Sequence, residues 1–136
     1  MPLVRMQHDV DPKQEIMDRV RPYLDNIIVM GEDILLGVYM RPEKTKGNII
    51  LTQQYRGEDE YQGLACLILK MGPLAFVEDE DHKYGERKPQ IGDWVAVRKS
   101  EGFSFKIGSS STDVQPCRLM HERGVRLVIS EPDMVW

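Results

Sequence analysis

The chain has 136 residues, of which 41% are hydrophobic and 29% charged. That is enough for one compact domain burying roughly two thirds of its unfolded surface, and too little for a second independent core. The balance excludes a disordered or collagen-like chain. The longest apolar run, Leu64 to Leu69, falls far short of the roughly 18 residues that span a bilayer, and a net charge of −4 with scattered Lys and Arg argues against nucleic acid as a partner. The opening residues Met1-Pro2-Leu3-Val4-Arg5-Met6 lack the basic-then-apolar pattern of a secretory signal, so the expected compartment is the cytoplasm. Cys66 and Cys117 form neither a CxxC pair nor a disulfide framework and read as buried or half-buried small hydrophobes.

Residues 1–20 read as an N-terminal arm. Asp11, Pro12 and Gln14 supply an N-cap, a helix-starting proline and a partial capping box, which predicts a short helix from about Pro12 to Val20. Its apolar residues Ile16, Met17 and Val20 form one narrow stripe that needs a surface, either the chain's own barrel or a neighbouring subunit. With Met134 and Val135 near the other end of the chain, these are the candidate contacts between copies in an oligomer or lattice.

From Pro22 onward the pattern turns to strands. Short segments rich in Val, Ile and aromatics are separated by Gly, Pro, Asn and Asp. The predicted strands are Asn26 to Met30, Ile34 to Met40, Asn48 to Thr52, Leu64 to Lys70, Trp94 to Arg98, Phe103 to Ile107 and Val125 to Ile129. The fold class is therefore all-β, most simply a small antiparallel barrel or sandwich spanning 21–136.

Several connections exceed what a tight hairpin needs. Residues 41–63 are polar except for Ile49-Ile50-Leu51, which Gly47-Asn48 and Thr52 bracket. Such a triplet is either one more strand of the barrel or bait for an apolar groove on a partner, because loops normally run over the surface. Residues 72–92 open with Pro73-Leu74-Ala75-Phe76-Val77 and continue through the acidic run Glu78-Asp79-Glu80-Asp81, which reads as a solvated turn. Residues 108–116 read as a Ser-rich turn.

Catalytic signals are absent from the pattern. His8, His82 and His121 lack metal-ligand spacing, and His82 beside Asp79 and Asp81 is a weak lure for a cation. There is no GxSxG, P-loop or GxGxxG, and Ser109-Ser110-Ser111 sits in a turn. The expectation is a protein without enzymatic activity, catalytic residues, cofactor or metal.

The order of these pieces resembles the small co-chaperonins, the GroES-like ten-kilodalton family. Arg21-Pro22-Tyr23-Leu24-Asp25-Asn26-Ile27-Ile28-Val29 is similar to the family's opening segment, and Glu43 to Thr52 resembles its mobile loop with an Ile-Val-Leu type tripeptide. Gly63 to Gly72, Pro89-Gln90-Ile91-Gly92-Asp93-Trp94-Val95 and Leu127 to Met134 resemble the later strands and the tail. The likeness covers about residues 21–136. It implies a GroES-like antiparallel β-barrel with two long hairpin or loop extensions, 41–63 mobile-loop-like and 72–92 roof-hairpin-like, plus a short N-terminal helix.

The function it implies is capping a double-ring chaperonin through Ile49, Ile50 and Leu51, with Gly47, Asn48 and Thr52 as their flanks. The protein would be a homo-oligomeric ring, heptameric in that family, and the partner would hydrolyse the ATP. The chain departs from the pattern in residues 1–20, in an added turn at Gly31-Glu32-Asp33, and in the bulky Gln53-Gln54-Tyr55-Arg56 after the triplet. These departures point to a divergent, bacteriophage-encoded member. They also keep an alternative in view, a viral structural protein such as a capsid decoration protein that reuses the fold in the virion and contacts capsid protein.

Overall fold

A computed structural model describes residues 10–40, 64–109 and 114–135. Helix α1 (Pro12–Leu24) precedes strands β1 (Asp33–Val38), β2 (Ala65–Met71), β3 (Trp94–Val97), β4 (Phe103–Ile107), β5 (Gln115–His121) and β6 (Val125–Ile129). The six strands form one sheet in the order β4-β5-β1-β2-β3-β6, and every neighbouring pair is antiparallel. Short 3-10 turns follow β5 at Glu122–Gly124 and β6 at Pro132–Met134.

The central strands β1 and β2 are apolar on both faces, so the sheet carries a core on each side. On one face, Leu35, Leu67, Leu69 and Trp94 pack with Ile16 and Val20 of α1. On the other, Ile34, Leu36, Val38, Cys66 and Ile68 pack with Phe76, Val95 and Met120. The period of two along each strand assigns successive side chains to opposite cores.

Helix α1 lies over β1 where Gly37 leaves room. A Cβ built on Gly37 would stand 2.7 Å from Cγ2 of Ile16 and 3.2 Å from Leu69 Cδ1. The helix end is held by Lys70, whose ammonium donates to the carbonyls of Leu24 and Ile27 at 2.5 Å each. A cation there satisfies carbonyls that have no partner within the helix and complements its dipole.

The C-terminal turn closes the same face. Tyr39 stacks edge-on against Trp94 with ring centroids 5.8 Å apart, and its hydroxyl donates to buried Asp133 at 2.5 Å. The Ile91-Gly92-Asp93 step is a turn into β3. Gly92 supplies φ of +92° and donates to the Ile68 carbonyl, while the Asp93 carboxylate accepts from the Gln90 amide and from the Arg87 guanidinium.

Several sequence expectations are corrected here. The sheet is open, not a closed barrel: among the described residues β4 and β6 are its edges. The helix runs on through Arg21-Pro22 to Leu24; the proline ring fixes a φ compatible with a helix, and Pro22 forfeits the one bond its own nitrogen would have donated. Asp11 stands at the N-cap without a side-chain capping bond, and Gln14 donates to Asp18 instead of closing a capping box.

Residues Asn26 to Met30 are not a strand. They alternate correctly, with Val29 buried and Ile28 and Met30 exposed, yet no ladder partner lies beside them among the described residues. Alternation sets which side chains turn inward; it does not supply a neighbouring strand.

Of the two surfaces the helix stripe could meet, Ile16 and Val20 are buried against the chain's own sheet. Met17 is half-buried against the same cluster, as is Val135, while Met134 is exposed. The predicted strand Asn48 to Thr52 lies outside the described residues. Strand β5 was absent from the expectations.

Ile16→Ala should lower unfolding free energy by about 2–5 kcal/mol in urea titration, the cost of a cavity under a packed helix. Gly37→Val should cost at least about 1–3 kcal/mol by overpacking the crossing.

Candidate functional site

The residues Gly47, Asn48, Ile49, Ile50, Leu51 and Thr52 lie outside the described residues. β1 ends at Val38 and β2 begins at Ala65. Each is already paired on both edges, β1 by β5 and β2, β2 by β1 and β3.

The second connection carries no strand and is built around one buried carboxylate. Leu74 donates its amide to the Gly31 carbonyl and Ala75 to that of Gly72, which turns the chain back over the sheet. Phe76 then adopts φ of +55°, a left-handed conformation that is costly for a bulky residue. Its amide donates to the carboxylate of Glu122, and its ring stacks edge-on against Tyr84 at 5.5 Å. Burial, with the Glu122 carboxylate next, pushes the Tyr84 phenol up to about 12. Phe76 and Tyr84 thus serve packing.

The acidic run that follows is exposed, as its composition implied. Asp79 accepts from the amides of Asp81 and His82 and pairs with His82 Nδ1 at 2.8 Å. The hydrogen bond to His82 holds the Asp79 carboxyl below its ordinary value, and the same bond holds His82 above its own. This is a self-capped turn.

Among the described residues, Glu32, His121 and Glu122 are the group whose ligand atoms gather closely enough for a cation, within 4.8 Å of one another. Their sequence separation hid them, since the turn before β1 meets the end of β5. The hydrogen bonds oppose ligation. His121 Nδ1 accepts from the Arg123 amide at 3.1 Å, so in the neutral ring Nε2 carries the proton and faces Glu32 Oε2 at 2.9 Å. A metal on Nε2 would force that proton onto Nδ1, against an amide that already donates there. Glu122 is committed to Phe76.

Cys66 and Cys117 are buried, and burial pushes both thiols up to about 12, which removes the thiolate a nucleophile needs.

Open surfaces lie at both edges of the sheet. Beside β4, a shallow apolar groove of about 270 Å³ is lined by Ile28, Met30, Phe103, Phe105 and Leu119. Beside β6, a cleft of about 560 Å³ is lined by the strand itself and by side chains of the second connection, including Lys83 and Arg87. Each surface joins segments far apart in sequence, so only a correct topology could have revealed them. No family model matches the chain, and no curated protein matches it at a significant level.

Glu122→Ala should cost about 1–3 kcal/mol, the penalty of a buried amide without its acceptor, while Glu122→Gln should cost less in the same denaturation assay. For the Asp79–His82 turn, the raised His82 contributes stability below the ordinary 6.5 that is lost as pH rises through its folded value. The lowered Asp79 contributes stability above 3.8 that is lost on acidification through its folded value. An NMR titration should place His82 above 6.5, and Asp79→Asn should return it towards that value.

Proposed function

We propose that the chain is a non-catalytic binding protein of the co-chaperonin type, with a GroES-like fold opened at its edges, whose Ile49-Ile50-Leu51 segment docks on an apolar groove of a double-ring chaperonin. The observation that supports this reading is that both strands flanking residues 41–63 are interior strands of the described sheet. Among the described residues β1 lies between β5 and β2, and β2 between β1 and β3, so the sheet's edges are β4 and β6 rather than the strands that flank the segment. Both cores assemble from described residues. Large aliphatic residues that the adjacent strands do not need have a use in an intermolecular contact.

The sequence resemblance supplies the partner. One short loop would bind weakly, because docking orders it. A ring of identical copies makes later contacts intramolecular and raises avidity by about 100-fold to 10,000-fold, giving a tight but releasable lid. Nucleotide hydrolysis would belong to the chaperonin.

A second reading, a virion component contacting capsid protein, draws support from the apolar groove beside β4, where Ile28 is 85% and Met30 71% exposed. The helix stripe no longer supports it, since Ile16 and Val20 are spent inside the chain.

Co-sedimentation with a bacterial double-ring chaperonin, with and without adenine nucleotide, separates the two. The lid reading expects nucleotide-dependent capture that Ile50→Asp abolishes while thermal unfolding stays unchanged. Absence of capture by the folded wild-type chain, or equal capture of the variant, would sink it.

A further inference from the structure

The cleft beside β6 has a chemistry of its own. Residues Val125, Arg126, Leu127 and Val128 line it consecutively, so it runs along the strand. β6 is the last strand of the sheet and pairs with β3 alone among the described strands. Its outer edge therefore presents backbone donors and acceptors to the cleft, a template for one more strand. Leu127 and Val128 are exposed there.

The charge of the cleft is opposite to that of the chain. The protein carries a net −4, yet Lys83, Arg87, Arg123 and Arg126 line this cleft with Glu122 as the carboxylate among its walls. Glu122 is buried and accepts from the Phe76 amide. Arg87 is bridged by Asp93 and Arg123 by Glu101. Lys83 and Arg126 are exposed, and among the described residues no carboxylate bridges either one. Two cations that no described carboxylate bridges, beside a strand edge that no described strand pairs, call for an anionic occupant with a backbone of its own.

We propose that this cleft binds an extended acidic peptide segment of a partner protein, which adds to β6 as a seventh strand and pairs its carboxylates with Lys83 and Arg126. Main-chain hydrogen bonds to the edge supply affinity, and the cations select acidic sequences. A single-stranded nucleic acid would meet the same charge but would need exposed ring faces for its bases. The phenyl and phenol rings in its lining, Phe76 and Tyr84, are turned against each other at 82°, and Phe76 is buried. The proposal concerns a different edge from the Ile49-Ile50-Leu51 segment and stands or falls independently of the chaperonin reading.

Fluorescence anisotropy with a labelled peptide of about ten residues alternating Glu and Val tests it on the full chain. Saturable binding is expected, weakened at least about 10-fold by Lys83→Glu or Arg126→Glu and weakened further by salt. Methylating alternate peptide amides should abolish binding by removing the strand donors. The double variant K83E/R126E should instead take up a Lys-Val peptide. Thermal unfolding of each variant checks that the fold is intact. The proposal is overturned by absence of binding, by equal affinity in the charge-reversed variants, by undiminished binding of the methylated peptide, or by tighter binding of an oligothymidylate of equal charge, which would mark a nucleic-acid site.

Discussion

Strands β1 and β2 are enclosed on all four sides, and the other elements are placed by the need to enclose them. Their faces are covered by α1 and the C-terminal turn on one side and by Phe76 and Met120 on the other. Their edges are taken by β5 and β3. Because the side-chain period of a strand is two, a one-residue slip in this pair would exchange the contents of both cores. The register is accordingly tied to both covers at once. Gly37 is part of the same constraint, since only a missing Cβ lets α1 approach the pair.

Buried polar groups pin the irregular segments to that frame. Arg118, 2% exposed, donates to the carbonyls of Arg98, Lys99 and Glu101 and so fixes the link between β3 and β4. Gln115 donates to the carbonyls of Val38 and Pro116 and accepts from Arg19, which ties the start of β5 to the end of β1 and to α1. Glu122 holds the turned backbone at Phe76, and Asp133 holds the C-terminal turn through Tyr39. Each is a group whose burial would cost several kcal/mol without its partner, roughly the scale of a domain's whole stability margin. Main-chain carbonyls accept from Arg118 and from Gln115 Nε2, and so these residues shape the adjoining loops.

The strands with clean alternation or unbroken apolar runs were legible in the sequence. β4 and β6 have the expected boundaries, and β1, β2 and β3 differ by a residue or two at their ends. β5 was not legible, because Gln115, Pro116 and Arg118 contradict the pattern of an interior strand. Pro116 is tolerated because it lies just past Gly37 and Cys117, the last pair of the β1–β5 ladder, and is paired with Lys106 of β4. Gln115 and Arg118 are tolerated because carbonyls accept from Gln115 Nε2 and from a terminal guanidinium nitrogen of Arg118. Asn26 to Met30 fails in the opposite way: its pattern is right and its partner is missing. Of the candidate site residues, burial answers for Ile16 and Val20, while the clefts beside β4 and β6 depend on contacts that no local pattern encodes.

These features describe a frame whose two cores assemble from described residues, with the proposed interaction sites at its periphery. The long connection between β1 and β2, the apolar groove beside β4 and the basic cleft beside β6 are all extra to the enclosed pair. The most direct test of that independence replaces residues 43–61 by a Gly/Ser linker of the same length and measures unfolding in urea. The account predicts a stability within about 0.5 kcal/mol of the parent, as for surface changes away from a core. A loss of about 2 kcal/mol or more would contradict it, because Ile49-Ile50-Leu51 would then be carrying core packing.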